Sequence, residues 1–254
     1  MPYEEHPYLN TPPDDTTIWR YMTLAKLLSL LASECLHFSR ADQLGDPFEG
    51  SALPNSTYMV VTTDASTGTQ TYLETPHEAL PEGMRKVEAQ GRKAITKSTY
   101  ISCWYARPHE SAAMWTLYGS TTEGAAIRST VGRLKRSIAK SKEVVRIGQV
   151  QYRDFAALNT DYERNAYMAF VRKRISFEHE QEVRALFTRF VDRGEIQPLG
   201  WNVATDLSVL VEAIVIAPQA EPWFADVVKE VTSLYGAPVV PTFSPLSDEP
   251  YWGE

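Results

Sequence analysis

Strand-like and helix-like stretches alternate irregularly along this chain, and that irregularity limits its fold more than any single motif. TTIWRYMT (16–23), CLHFS (35–39), TYISCWYA (99–106), GAAIRST (124–130), EVVRIGQVQY (143–152), EVRALFTRF (182–190), the apolar run inside LSVLVEAIVIAP (207–218) and APVVPTF (237–243) read as strands. Between them lie LAKLLSLLASE (24–34), a polar helix over 79–97 and ESAAMWTLYG (110–119), closed by Gly119. A basic helix after 130, an amphipathic helix over 160–176 with Thr160 as N-cap and a helix over 222–236 closed by Gly236 complete the set. No regular strand–helix–strand period links these stretches. The pattern predicts an α+β fold: a mixed, mainly antiparallel sheet with flanking helices. The proline-rich first 15 residues read as an irregular arm, 41–51 as a turn-rich loop, 52–78 as loop or weak strands, and 16–254 as one domain.

Composition excludes several classes. With 43% hydrophobic and 22% charged residues the chain is not disordered, collagen-like or a long coiled coil. No stretch approaches the ~18 apolar residues of a membrane-spanning helix, so no membrane partner is expected. MPYEEHPYLNTPPDD is polar and acidic where a signal peptide is basic and then apolar, and the reading is a cytoplasmic protein. Two cysteines, Cys35 and Cys103, make no disulfide framework, and five scattered histidines lack metal-ligand spacing; no metal site is expected. GxxxxGK[ST], GxGxxG, GxSxG and HExxH are absent.

Charge is unevenly spread. Net charge is −7, yet residues 85–174 hold 18 Lys and Arg against 7 Asp and Glu. RKVEAQGRK (85–93), GRLKRSIAKSK (132–142) and VRKR (171–174) carry much of the excess. Such runs either form a basic face for a polyanion or are solvated helix faces offset by the acidic ends.

The segment with most chemical content is FEHEQEVR (177–184). On a strand, Glu178, Glu180, Glu182 and Arg184 share one face, and the apolar run ALF follows at once. Three carboxylates on one face repel unless cations, a metal or a polar cleft receive them. In a site, one of them is a general base or a stabiliser of a cationic transition state; otherwise Arg184 simply pairs with a carboxylate. Arg20, inside the apolar IWRYM, needs an anion, either one of these glutamates or a ligand phosphate. Trp115 and Tyr118 share a helix face that packs in the core or stacks on a base. Cys103, between Ser102 and Trp104, is a buried strand thiol or a nucleophile without a visible His partner.

The order of segments IWRYM…LLASECLHFSRADQLGDPFEG, YISCWYA, MWTLYG…GAAIRS, FEHEQEVRALF and LVEAIVIAPQAEPW resembles the bacterial domain of unknown function 2971 family, from about Ile18 to about Leu246. That resemblance marks Arg20, Asp46, Pro47, Phe48, Ser102, Trp115, Tyr118, Glu180, Glu182 and Arg184, but implies no activity. The order of a basic residue on the first strand, a hydroxyl on the central strand and a late Glu-x-Glu also resembles ADP-ribosyltransferases. This implies a split, mainly antiparallel sheet with NAD as substrate. Arg20, beside Tyr21, would contact the NAD phosphates or ribose, Ser102 would brace the nicotinamide-side ribose, and Trp104 or Tyr118 would stack on nicotinamide. Asp46, Phe48, Trp115 and Arg184 would complete the binding residues. Glu182, or Glu180, would stabilise the ribosyl cation that forms as nicotinamide leaves. The acceptor would be a nucleic acid or a protein, as for a toxin or phage-defence effector. Against the pattern, YISCWY supplies only the one hydroxyl, Ser102.

Two other functions suit the same residues. One is a non-catalytic nucleotide or nucleic-acid binding module, in which the glutamates only pair with Arg20 and Arg184 and the basic helices bind phosphates. The other is a nuclease holding Mg²⁺ through Asp46, Glu49 and the glutamate strand, though no compact acidic motif with a companion Lys is present.

Overall fold

The structure is a computed structural model that describes residues 2–52, 57–157, 165–192, 195–250 and 252. In chain order the elements are β1 (Thr17–Thr23), α1 (Leu24–Ser33), β2 (Cys35–Arg40), β3 (Thr57–Thr63), β4 (Gln70–Pro76), α2 (Glu82–Thr96), β5 (Thr99–Tyr105), α3 (Ala112–Tyr118), β6 (Gly124–Thr130) and α4 (Val131–Ser137). They continue with β7 (Arg146–Gln149), β8 (Gln151–Arg153), β9 (Arg172–Arg174), β10 (Glu182–Thr188), β11 (Gly200–Ala204), α5 (Leu207–Leu210), β12 (Ala213–Ile216), α6 (Pro222–Leu234) and β13 (Thr242–Phe243). Among the described residues nine strands form one sheet, with β10 and β7 attached beside β5 on the path β11-β2-β5-β1-β6-β12-β13. Every pair in it is antiparallel except β12 with β13, so the fold is α+β with a mixed, mostly antiparallel sheet. No helix among the described residues is long and apolar enough to cross a membrane.

The sheet is split beside β5. On the edge of β5 away from β10, Tyr100 and Ile101 pair with Arg40 and Ser39 of β2, while Tyr105 pairs with Trp19 of β1. Between these points, Ser102–Trp104 have a ladder partner only in β10, among the described residues. β1 and β2 therefore diverge around a gap. Alternation along the strands then sets what each face offers. Ile18, Met22, Tyr100 and Trp104 point into the main core against Leu27, Leu30 and Leu31 of α1. Trp19 and Tyr21 point to the other face, against Met114 and Trp115 of α3. Local signals explain the helix ends. Ser111 accepts from the Met114 N–H at 3.4 Å to start α3, Pro222 occupies the first turn of α6, and Gly236 at φ 64° follows its end.

Three sequence expectations change. The segment 160–176 is not one helix. Among its described residues, Ala166–Phe170 is a 3₁₀ turn and Arg172–Arg174 is β9, parallel to β8; Thr160 lies outside the described residues. Ala169 and Phe170 are buried as their pattern requires, but a 3₁₀ turn buries such a pair as well as a helix does. The segment 177–184 is not one strand either: a 3₁₀ turn spans Ile175–Glu180 and β10 starts at Glu182. Glu178 is exposed, away from the other glutamates. β11 (GWNVA), not anticipated, pairs along β2, and the weak-strand region 52–78 contains the β3–β4 hairpin. The N-terminal arm is irregular but tied down, with Glu4 N–H to Val145 O at 3.1 Å and Thr11 Oγ1 to Ile147 O at 2.6 Å.

Candidate active site

A cavity of about 630 Å³ opens at the split. Because the strands diverge there, side chains from both sheet faces reach it. Arg20 and Trp104 come from the face under α1, and Glu182, Arg184, Tyr21 and Tyr105 from the face under α3. Glu180, Lys173, Tyr118 and Cys103 also line it.

Arg20 bridges the gap in the sheet. Its guanidinium donates to Ser102 Oγ and, at 3.0 Å, to the His37 carbonyl, and it lies 5.7 Å from the centre of the Trp104 ring. Trp104 Nε1 donates to the same Ser102 Oγ at 3.2 Å. Both hydrogen-bond partners of Arg20 are neutral, and among the described residues it has no carboxylate partner. Loss of hydration lowers its guanidinium to about 10, so it stays a cation at neutral pH. A half-buried cation without a carboxylate partner, facing a cavity, is a place where an anion gains.

The opposite pole is a network of buried charges. Glu182 accepts from Lys173 Nζ at 2.8 Å and from Arg184 through Nε at 2.8 Å and Nη2 at 3.1 Å. Arg184, fully buried, also grips Glu49 with two bonds of 2.7 Å and donates to the Phe170 carbonyl at 2.8 Å. Glu180 accepts from Lys173 Nζ and from the Tyr118 hydroxyl at 2.6 Å. Three carboxylates thus share two cations, leaving one surplus negative charge when all are ionised. Two residues apart, Glu180 and Glu182 both turn inward because Gln181 between them adopts the left-handed region at φ 40°. Its side chain pins this bend, donating to the Glu178 carbonyl at 2.6 Å and accepting from Arg107 at 2.8 Å.

The two glutamates differ electrically. Burial, then the adjacent Glu182, pushes the Glu180 carboxyl up. Burial opposes ionisation of Glu182 too, but Arg184 first and Lys173 with it outweigh that and hold Glu182 well below the usual carboxylate range. Glu182 is a fixed anion and Glu180 is the member able to take a proton. Burial, with Glu182 beside it, pushes the Cys103 thiol well up, which removes the thiolate a nucleophile needs.

Of the residues singled out in the sequence, Arg20, Tyr21, Trp104, Tyr118, Glu180, Glu182 and Arg184 line this cavity, and Ser102 lies behind Arg20. Trp104 is buried, so its ring supports Arg20 and is not free to stack on a ligand. Tyr21 is buried and accepts the Ser111 N–H at 2.8 Å. Three residues are not brought in. Trp115 is fully buried, edge-on to Tyr21 with 5.0 Å between ring centres, its Nε1 donating to Glu110 at 2.7 Å; it is core. Asp46, also buried, pairs with Arg174 at 2.8 Å, and Arg174 lies 4.5 Å over the half-exposed Phe48 ring. That clamp closes the 41–51 loop and borders a separate cavity of about 700 Å³ under α2. The Mg²⁺ reading fails on the same contacts. Asp46, Glu49, Glu180 and Glu182 are each in contact with a protein cation, and no group of three ligands placed to hold a metal occurs among the described residues. Arg20 does not pair with a glutamate, as one sequence reading required.

Lys173 escaped the sequence reading, and Glu49 entered it only as a metal ligand and not as the partner of Arg184. Lys173 sits in VRKR, which reads as a surface basic run, yet Arg172 and Lys173 are buried. A signal did exist: three carboxylates predicted on one face demand a partner, and one Arg is too few.

No family model matches the chain, and no curated protein matches it. The resemblance to the domain of unknown function 2971 family therefore stands on the quoted segments alone. Among solved structures, Thermus sp. 2.9 DarT in complex with ADP-ribosylated ssDNA aligns at 10% identity over 93% of this chain and 96% of that one, with a TM-score of 0.40. Thermus sp. 2.9 DarT in complex with carba-NAD+ aligns at 9% identity over 92% and 98%, with a TM-score of 0.38. Likeness at these scores does not establish a common fold.

Proposed function

We propose that this protein binds NAD in the cavity at the sheet split, cleaves its nicotinamide–ribose bond and passes ADP-ribose to an acceptor. The observation that carries the reading is the pairing, in one cavity, of an uncompensated Arg20 cation with a carboxylate network holding a surplus negative charge. NAD has the complementary pattern, a pyrophosphate anion joined through ribose to a cationic nicotinamide ring. Arg20 takes the phosphate side. Glu182, a permanent anion, favours the positive charge that moves onto the ribose as nicotinamide departs. Glu180 receives the proton of the attacking group.

Incubation with NAD labelled on its adenylate half, in the presence of cell lysate, tests this. The expected result is release of nicotinamide together with transfer of label to a macromolecule. Intact NAD with no labelled acceptor would overturn it. One observation favours a second reading, a non-catalytic nucleotide-binding module: both oxygens of Glu182 are already engaged by Arg184 and Lys173. In that case NAD binds and stays whole.

A further inference from the structure

Lys173 is a buried lysine that the roles of Arg20, Glu180 and Glu182 leave unused. It projects from β9, its ammonium lies between the Glu180 and Glu182 carboxylates, and the Phe177 ring lies 4.6 Å away on another side. Glu180 is faced by Lys173 from β9, by the Tyr118 hydroxyl from α3 and by Glu182 from β10. Behind these stand Arg184 on β10, Glu49 of the 41–51 loop, Cys103 on β5 and Tyr152 on β8. Arg184 is committed to Glu182 and Glu49, so Lys173 is the one cation in direct contact with Glu180 among the described residues. Tyr118, with an exposure of 45%, holds the other Glu180 oxygen at the cavity wall.

We propose that Lys173 is a positioning residue that keeps Glu180 ionised and aimed into the cavity, ready to take the proton of the acceptor nucleophile. The inference rests on the reading of this cavity as a site of NAD cleavage. In the step concerned, the bond between ribose and nicotinamide breaks with both electrons leaving on nicotinamide, which departs neutral. A lone pair of the acceptor, a hydroxyl, a ring N–H or water, forms the new bond to the ribosyl carbon. The proton of that acceptor passes to Glu180. Without the ammonium beside it, Glu180 would lie buried next to the Glu182 anion and hold its proton to higher pH.

The test is a carbon-13 NMR titration of protein labelled at the glutamate carboxyls, with Glu180→Gln identifying the Glu180 signal, beside the pH profile of nicotinamide release. In Lys173→Met the Glu180 midpoint and the acid limb of the rate both move up by about 1 to 3 pH units, the effect of removing a contacting opposite charge. Lys173→Arg restores both. A Lys173→Met protein that is less stable but keeps the wild-type midpoint would overturn the inference, as would a midpoint that moves without the acid limb. If Lys173→Met does not fold, Lys173→Gln serves: it removes the charge beside Glu180 while keeping a polar side chain between the two carboxylates. An upward movement supports the inference, and an unmoved midpoint refutes it. Wild-type protein that releases no nicotinamide at any pH would instead sink the NAD-cleavage reading, while the midpoints still decide whether Lys173 governs Glu180.

Discussion

At the scale of single residues, Arg20 and Glu180 carry the account because each keeps its charge where burial opposes it. Among the described residues, Arg20 keeps its charge beside the Trp104 ring, with a hydroxyl and a carbonyl as its hydrogen-bond partners and no carboxylate. Arg20→Gln removes the anion-binding pole while leaving a side chain able to bond Ser102. NAD affinity should fall by roughly 10- to 150-fold, the worth of a hydrogen bond to a charged group, as read by calorimetric titration. Affinity equal to wild type would show that the phosphates bind elsewhere. Arg20 and the glutamates were legible in the sequence because a charge inside an apolar strand demands an explanation. Lys173 was not, since flanking Arg172 and Arg174 make it look like part of a solvated run. The pairing of Glu49 with Arg184 was out of reach for another reason, because the two are 135 residues apart.

At the scale of elements, the left-handed Gln181 and the 41–51 loop bring the network together. Arg184 on β10 ties that strand to the loop through Glu49, and cutting this tie strands two buried carboxylates. Arg184→Met should cost about 3 to 5 kcal/mol in urea unfolding, the usual penalty for leaving a buried charge unpaired; a loss below 1 kcal/mol on the same scale would mean that the network relaxes into water. Gly50 closes the same loop at φ 71°, where an added Cβ would meet Thr96 Oγ1 at 2.5 Å and Phe170 Cε1 at 2.6 Å. Gly50→Ala should therefore lower stability by about 1 to 3 kcal/mol; an unchanged urea midpoint would contradict it. The strands β1, β2, β5, β6 and β10 were legible from their β-branched and aromatic runs. The 160–176 segment was misread because a 3₁₀ turn buries the apolar Ala169 and Phe170 there, while Ala166 is left exposed. What turned the chain into β9 there is tertiary: the ladder to β8 and the carboxylates awaiting Lys173 and Arg174.

At the scale of the whole molecule, part of the positive middle pairs with the negative ends. Arg146 pairs with Glu4 at 2.9 Å, Lys135 with Asp14 at 2.6 Å and Arg128 with Glu212 at 3.3 Å, which is the offset that a formal count could not place. Stability should depend on pH through the buried network. Glu182 is depressed in the folded state, so it binds fewer protons folded than unfolded. Its contribution is complete above the unfolded carboxylate value of about 4.3 and is lost as pH falls through its folded value. Glu180, raised in the folded state, acts in the opposite sense and blunts the loss. The urea midpoint should accordingly fall once pH drops below about 4, and Glu182→Gln should flatten that fall; an equally steep fall in the variant would place the titration elsewhere.

The most direct test of the central claim is single-turnover release of nicotinamide from NAD by the wild-type protein and by Glu180→Gln, with NAD affinity measured alongside. The account predicts release by the wild type and a fall of about 100-fold or more in the variant, the contribution of a placed proton acceptor, with affinity little changed. Equal rates in the two proteins, or NAD left whole by both, would contradict it.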